Sequence, residues 1–203
     1  MLQLTIPPGD FAGYIFDCDG TLADTMPAHY RAWARAFKDY RAPFDFTEDR
    51  FYRLGGVAAA GIIAQLNREY GTDYACEELA AHKEALFERL LTRVEPIRPV
   101  CDFARRAAAA GRPVSVASGG FPHIVRRTLQ LIGLAEIFQD RIVTPDLVAH
   151  GKPAPDMFLR AAQLMRVAPA DCLVFEDAIP GIEGAKAAGM RVVLVPSRPT
   201  PDA

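Results

Sequence analysis

The chain has 203 residues, 50% of them apolar and 24% charged, a mixture that fills one full core, or a modest core with a small accessory domain, and excludes a disordered or fibrous protein. Lys and Arg number 23 against 25 Asp and Glu, a formal charge of -2, which gives no general attraction to nucleic acid. No apolar stretch reaches membrane-spanning length and no basic segment followed by an apolar run opens the sequence, so the expectation is a cytoplasmic chain with no membrane and no nucleic-acid partner.

The first element in chain order is a short strand over 13–16, ending at Asp17 and followed by Cys18-Asp19-Gly20-Thr21, a sequence suited to a turning backbone. Residues 26–92 then carry helical patterns without a persuasive strand and predict an all-helical insertion. There His29, Trp33, Ala36 and Phe37 share one helical face, and Ile62, Leu66 and Tyr70 fall close to another. The proline-containing stretch 94–99 reads as the return linker, since proline opposes continuation of a helix. Beyond it, apolar or β-branched runs at 114–117, 141–143, 172–175 and 191–195 suit parallel strands buried on both faces. Helix-spaced segments at 121–131 and 155–165, and a run of small residues at 179–188, lie between them, and Gly111, Gly133 and Gly189 follow helical segments as left-handed closing residues. Strands alternating with helices imply an α/β fold. The division is 1–25 as the first part of the core, 26–92 as the helical insertion and 93–203 as the remainder. Four separated cysteines lack the paired spacing of a zinc site or disulfide scaffold. They read as reduced thiols, with Cys18 and Cys172 buried in strand regions.

The chemistry-bearing residues follow the strands. Asp17 and Asp19, one residue apart after the first strand, can aim one carboxylate at phosphorus and the other at the leaving-group oxygen, with Gly20 allowing close backbone approach. Acidic residues also decorate loops and cap helices, so the pair alone decides little. Ser118, Gly119 and Gly120 follow the second strand and open a helix, where a hydroxyl and amide donors hold phosphate oxygens, unless they form only a tight turn. Lys152, in a Gly-Lys-Pro-Ala-Pro turn, offers a mobile point charge for phosphate and for the Asp17 carboxylate. Glu176 and Asp177 end the fourth strand and can take magnesium or its waters.

In this order, Asp17-Cys18-Asp19-Gly20-Thr21-Leu22, Ser118, Lys152-Pro153 and Glu176-Asp177 resemble the four motifs of the haloacid dehalogenase-like phosphotransferase superfamily, in its β-phosphoglucomutase and sugar-phosphatase branch. Lys152-Pro153-Ala154-Pro155-Asp156 and Phe175-Glu176-Asp177-Ala178 are similar to fructose-1-phosphate phosphatase-like members. The resemblance implies a Rossmann-like parallel five-stranded core, order 5-4-1-2-3, with a helical cap. It implies Asp17 as nucleophile, Asp19 as general acid and then base, and Ser118 and Lys152 as phosphate partners. The metal residues it implies are Asp17, Asp19 (through its carbonyl), Glu176 and Asp177, with Mg2+ as the ion and no organic cofactor or obligate protein partner. The implied substrate is a small phosphorylated metabolite, first a sugar phosphate. Phosphoglycolate hydrolysis, β-phosphoglucomutase activity and a non-catalytic phosphate-binding module stand as alternatives.

For substrate selection, 27–33 resembles the first cap helix of sugar-phosphate members, with His29 as the pocket residue and Gly119 and Gly120 beside the phosphate. Where mutases carry Lys-Gly-Val-Ser-Arg, this chain reads Gly55-Gly56-Val57-Ala58-Ala59. The two missing cations predict hydrolysis over isomerisation, unless Arg31 or Arg53 replaces them.

Overall fold

A computed structural model describes residues 4–55 and 57–196. The chain divides into two compact units, Met1–Asp24 with Val94–Ala203, and Thr25–Arg93. The strands, all in the first unit, are β1 Gly13–Phe16, β2 Val114–Ala117, β3 Ile142–Val143, β4 Cys172–Glu176 and β5 Arg191–Leu194. The helices of the second unit are α1 Met26–Asp39, α2 Glu48–Arg53, α3 Ala59–Tyr70 and α4 Cys76–Leu90. Those of the first are α5 Arg98–Ala109, α6 Pro122–Leu131, α7 Ala135–Phe138, α8 Asp156–Met165 and α9 Ile179–Ala187.

The strands pair in parallel in the order β3-β2-β1-β4-β5, the expected order read from the opposite edge. Both faces of the central strands are covered, so β1 and the body of β4 are apolar at both parities. On one face Ile15, Ala117, Val143 and Val174 join Met157, Phe158 and Ala161 of α8 and Ala185 of α9 in a single cluster. The other face is aromatic. Phe16 stacks on its register partner Phe175 at 4.8 Å, with Phe103 of α5 4.7 Å from Phe175 and Phe138 of α7 5.9 Å from Phe16. Burying each such ring contributes about 1.5–3 kcal/mol, which fixes the register of the central pair.

The elements depart from the sequence reading in ways that have physical causes. The linker is shorter than 94–99, because α5 starts at Arg98 with Pro99 in its first turn, where the missing N–H has no helical acceptor to lose. Cys18 is buried but lies in the turn after β1, not in a strand. Gly111, Gly133 and Gly189 close their helices at positive φ. β4 runs one residue further than expected, to Glu176, whose carbonyl accepts from Val195 N–H at 2.8 Å.

In the second unit Trp33, Ala36 and Phe37 of α1 are buried with Ile62, Ile63 and Leu66 of α3 and Leu79 of α4. Trp33 stacks on Phe37 at 5.3 Å, and Phe46 closes the group at 4.9 Å from Phe37. Tyr70, expected on the face of Ile62 and Leu66, is 39% exposed. At the end of α3 it turns outward to stack on Phe44 at 4.3 Å and accept a 2.7 Å hydrogen bond from Arg50. Among the described residues no helix is long and apolar enough to cross a membrane.

Candidate active site

A parallel sheet collects the carboxyl ends of its strands along one edge, where ligands of open α/β sheets bind. β1 is the central strand, and Asp17 prolongs it, its N–H donating to Phe175 O at 3.0 Å. The chain then turns tightly, with Leu22 and Ala23 N–H both donating to Cys18 O, at 3.0 and 2.9 Å. Gly20 occupies this turn at φ +86, and a Cβ there would sit 2.3 Å from Asp177 Oδ2. Only glycine meets both demands. Thr21 Oγ1 donates to the other oxygen of Asp177 at 2.9 Å. Asp177 is thus docked onto the first turn by a hydroxyl and by the absence of a side chain.

From β2, Ser118 N–H donates to Val143 O at 3.0 Å and its side chain is 1% exposed. Its Oγ accepts from Gly120 N–H at 3.2 Å, so that amide is spent on the turn and is not a free phosphate donor. Gly120 also borders Asp19, whose Oδ2 lies 3.6 Å from where a Cβ of residue 120 would stand, while Gly119 faces open space. Lys152 precedes Pro153 through a cis peptide bond, and its Nζ donates to Asp17 Oδ1 and to Glu176 Oε1, both at 2.6 Å. The second oxygen of Glu176 accepts from Ala178 N–H at 2.7 Å. One ammonium therefore bridges the ends of β1 and β4.

Burial raises the Asp17 carboxyl well above the usual carboxylate range, the Lys152 ammonium opposes this, and Glu176, Asp177 and Asp19 add to it. Burial alone would lower Lys152, but Asp17 and Glu176 hold it above its ordinary value. Asp177 is pushed up to about 7 by burial and by Glu176. The site carries four carboxylates around one lysine and so favours a further cation or a bound proton.

Asp17, Lys152 and Glu176 are joined by direct bonds, Asp177 by way of Thr21, and Ser118, Gly120 and Asp19 lie together at the neighbouring turn. His29 belongs to the second unit, where its Nδ1 lies 2.8 Å from Lys83 Nζ and its ring stacks on Phe87 at 3.7 Å. Sequence reasoning missed Lys83, whose place on α4 reads as solvent-facing, and Gly181. A Cβ at Gly181 would lie 1.7 Å from Glu176 Oε1, and a glycine inside the first turn of a helix is the only sequence signal of that closeness.

A model of the haloacid dehalogenase-like hydrolases matches residues 11–189. The chain belongs to the haloacid dehalogenase-like hydrolase family. It is 40% identical to the fructose-1-phosphate phosphatase YqaB of Escherichia coli over 187 residues, 90% of this chain and 95% of that protein. It is 32% identical to the β-phosphoglucomutase of Bacillus subtilis, covering 88% and 80% of the two chains. The crystal structure of CbbY from Rhodobacter sphaeroides in complex with phosphate superposes with a TM-score of 0.79 at 26% identity, over 90% of this chain and 84% of that one. The haloacid dehalogenase-like fold explains why four motifs spread over 160 positions of sequence converge on one sheet edge, and the enzyme is a phosphatase of that family.

Proposed function

We propose that the enzyme hydrolyses small sugar monophosphates through an aspartyl-phosphate on Asp17. The observation that carries this reading is the Lys152 ammonium held between Asp17 and Glu176, which places a fixed positive charge beside the carboxylate that must approach an anionic ester. In the first half-reaction an Asp17 oxygen bonds to phosphorus, the bond from phosphorus to the ester oxygen breaks, and Asp19 gives that oxygen its proton. In the second, water bonds to phosphorus, Asp19 takes its proton, and the bond to Asp17 breaks to release inorganic phosphate. Ser118 and Lys152 hold the non-bridging oxygens, with Gly119 on the open side of the same turn.

Among the described residues no group of three or more His, Cys, Asp and Glu side chains is gathered as a metal cluster. Magnesium does not need one, since it is held through one or two carboxylates and keeps several waters. The donors fit: Gly20 leaves room for the Asp177 carboxylate against the first turn, so that Asp177, Asp17 and the Asp19 carbonyl offer only hard oxygen ligands. Both Glu176 oxygens are already bonded, to Lys152 and Ala178, so Glu176 serves the ion as a neighbouring charge and the lysine as its anchor. Bound magnesium would supply charge stabilisation on the transferring phosphoryl oxygens.

Sugar phosphates are favoured by the name of the fructose-1-phosphate phosphatase relative and by His29, which we assign to the organic part of the ester. Hydrolysis is favoured over mutase activity by the basic residues missing from 55–59. Gly56 lies outside the described residues. Arg53 Nη2 pairs with Asp49 at 2.7 Å through two exposed side chains, a contact that costs little to open, so product analysis decides whether Arg31 or Arg53 replaces the missing cations. The test is phosphate release with magnesium from fructose-1-phosphate, glucose-1-phosphate and phosphoglycolate, with rapid-quench trapping of phosphorylated protein. Turnover and the trapped adduct should both vanish in Asp17→Asn. Full turnover by a folded Asp17→Asn protein, or preference for phosphoglycolate over every sugar phosphate, would overturn the assignment.

A further inference from the structure

A cavity of about 380 Å³ lies in the first unit at the amino end of β2, where Arg112, Val114, Glu136, Ile137, Gln139 and Arg141 are among the residues that line it. That volume is of the size that takes a small molecule. Val114 opens β2 and Ser118 follows its end, a separation of about 13 Å along an extended chain. The cavity therefore belongs to the edge of the sheet away from the catalytic carboxylates.

Arg141 is its organising group. Nε donates to Val114 O at 2.8 Å and Nη2 to Ile137 O at 3.1 Å, so two neutral carbonyls of the cavity lining fix the guanidinium plane without compensating its charge. No carboxylate pairs with Arg141 among the described residues, and three of the five N–H groups of a guanidinium are left over. Arg112 adds a second guanidinium, whose Nη2 meets Asp10 at 2.9 Å through two exposed side chains, a weak tie. Glu136 supplies a carboxylate and Gln139 an amide, and neither side chain makes a hydrogen bond or ion pair among the described residues. The backbone of Gln139 stands at φ +49 and ψ -120, in a turn closed by Arg141 N–H donating to Phe138 O at 2.9 Å. Glycine is the residue that takes this first central position without strain. Strained positions of this kind gather at ligand contacts.

Two guanidiniums against one carboxylate give the lining a single net positive charge, which matches a monoanion. The outer edge of a guanidinium fits the two oxygens of a carboxylate in its own plane. Glu136, as an acceptor, asks for a hydroxyl or ammonium on the same molecule, and it opposes the second charge of a phosphate dianion. We propose that this cavity binds a small carboxylate that also carries a hydrogen-bond donor, with the carboxylate on Arg141 and Arg112 and the donor on Glu136. Hydroxy acids and amino acids share that chemistry. The site is separate from phosphoryl transfer and stands whatever ester the catalytic edge accepts.

The experiment is nitrogen-15 NMR of the full chain without magnesium, titrated in turn with gluconate, serine and inorganic phosphate. It reads the Arg141 Nε–H signal, identified by its loss in Arg141→Lys. Gluconate or serine should shift that signal saturably, gluconate alone marking a hydroxy-acid site and serine alone an amino-acid site. Affinity should fall about tenfold in Arg112→Gln, which loses one charge-assisted contact and leaves the carbonyl bonds of Arg141 in place. Gln139→Gly should raise the thermal midpoint and weaken binding together, and Glu136→Gln should move selectivity about tenfold toward phosphate as the opposing charge is removed. No saturable shift from either carboxylate, phosphate binding more tightly than both in the wild type, or an affinity unmoved by Arg112→Gln would overturn the proposal.

Discussion

Replacing Gly181 by Ala sets two effects of opposite sign against each other. Gly181 lies in α9 without a positive φ, so helix propensity alone predicts that Ala stabilises by about 0.5–1 kcal/mol. Against this, the new Cβ would stand 1.7 Å from Glu176 Oε1, 2.1 Å from Cδ and 2.7 Å from Cγ. The whole side chain must therefore swing away. Glu176 is 2% exposed and would lose its bonds to Lys152 and to Ala178 N–H. Hydrogen bonds to charged groups are worth about 1.5–3 kcal/mol each, so the loss is about 3–6 kcal/mol and outweighs the propensity gain. Released from Glu176, Lys152 would no longer be fixed beside Asp17, and kcat should fall about 100-fold or more, as when a preorganised charge is removed. Urea unfolding and magnesium-supported phosphate release measure both effects. The decisive control is the double variant with Glu176→Ala, which deletes the three atoms the Cβ strikes. In that background Gly181→Ala should be neutral or stabilising, because the two positions are coupled. A full destabilisation persisting without the Glu176 side chain, or a single variant as stable and active as the parent, would refute the steric argument.

Adding magnesium should raise the thermal midpoint and chelation should lower it, since four carboxylates surround one lysine at the site and binding to the native state alone stabilises it. With glucose-1-phosphate and catalytic glucose-1,6-bisphosphate the product should be inorganic phosphate, and sustained glucose-6-phosphate formation with little phosphate would reverse the assignment. Burial pushes the Cys101 and Cys172 thiols up to about 11, so iodoacetamide near pH 8 should leave both unmodified in the folded protein, as peptide mapping can check. These raised values also set a sign: the contribution to stability is full below the ordinary thiol value near 9 and is lost as pH rises through about 11, so Cys101→Ser should flatten the alkaline fall in stability.

The legible part of the structure is the part governed by short-range rules. Asp17, Ser118 and Glu176 could be named from sequence because apolar strand runs end there, and Lys152 because its Gly-Lys-Pro turn precedes a helix, while a parallel sheet brings the strand ends to one edge. The strand order followed from the family resemblance and holds. What stayed hidden depends on packing between distant segments. Lys83 sits among charged neighbours on α4 and reads as a solvated lysine until α1 supplies His29 and Trp33. Pro99 looked like a helix stop because its tolerance in a first turn depends on where the helix begins. Gly181 looked like a weak helix residue because the Glu176 carboxylate that fills its missing side chain comes from another element.

The division into units separates two kinds of kinetic effect. Asp17, Asp19, Ser118, Lys152, Glu176 and Asp177 all belong to the first unit, and in the proposed mechanism they act on atoms that every phosphate monoester shares. Substitutions there should lower turnover by similar factors for all substrates, because they remove stabilisation of the same transferring group. His29 belongs to the second unit, where its Nδ1 lies 2.8 Å from Lys83 Nζ, and the proposed reading gives it the organic part of the ester. Its effect should therefore appear in ratios between substrates, with the phosphoenzyme step preserved. A fold that keeps phosphoryl transfer in one unit can change its substrate by altering a charge balance in the other. On the proposed reading, the step from Lys-Gly-Val-Ser-Arg in mutases to residues 55–59 here is a change of that kind, since it removes two cations that a second phosphate would need.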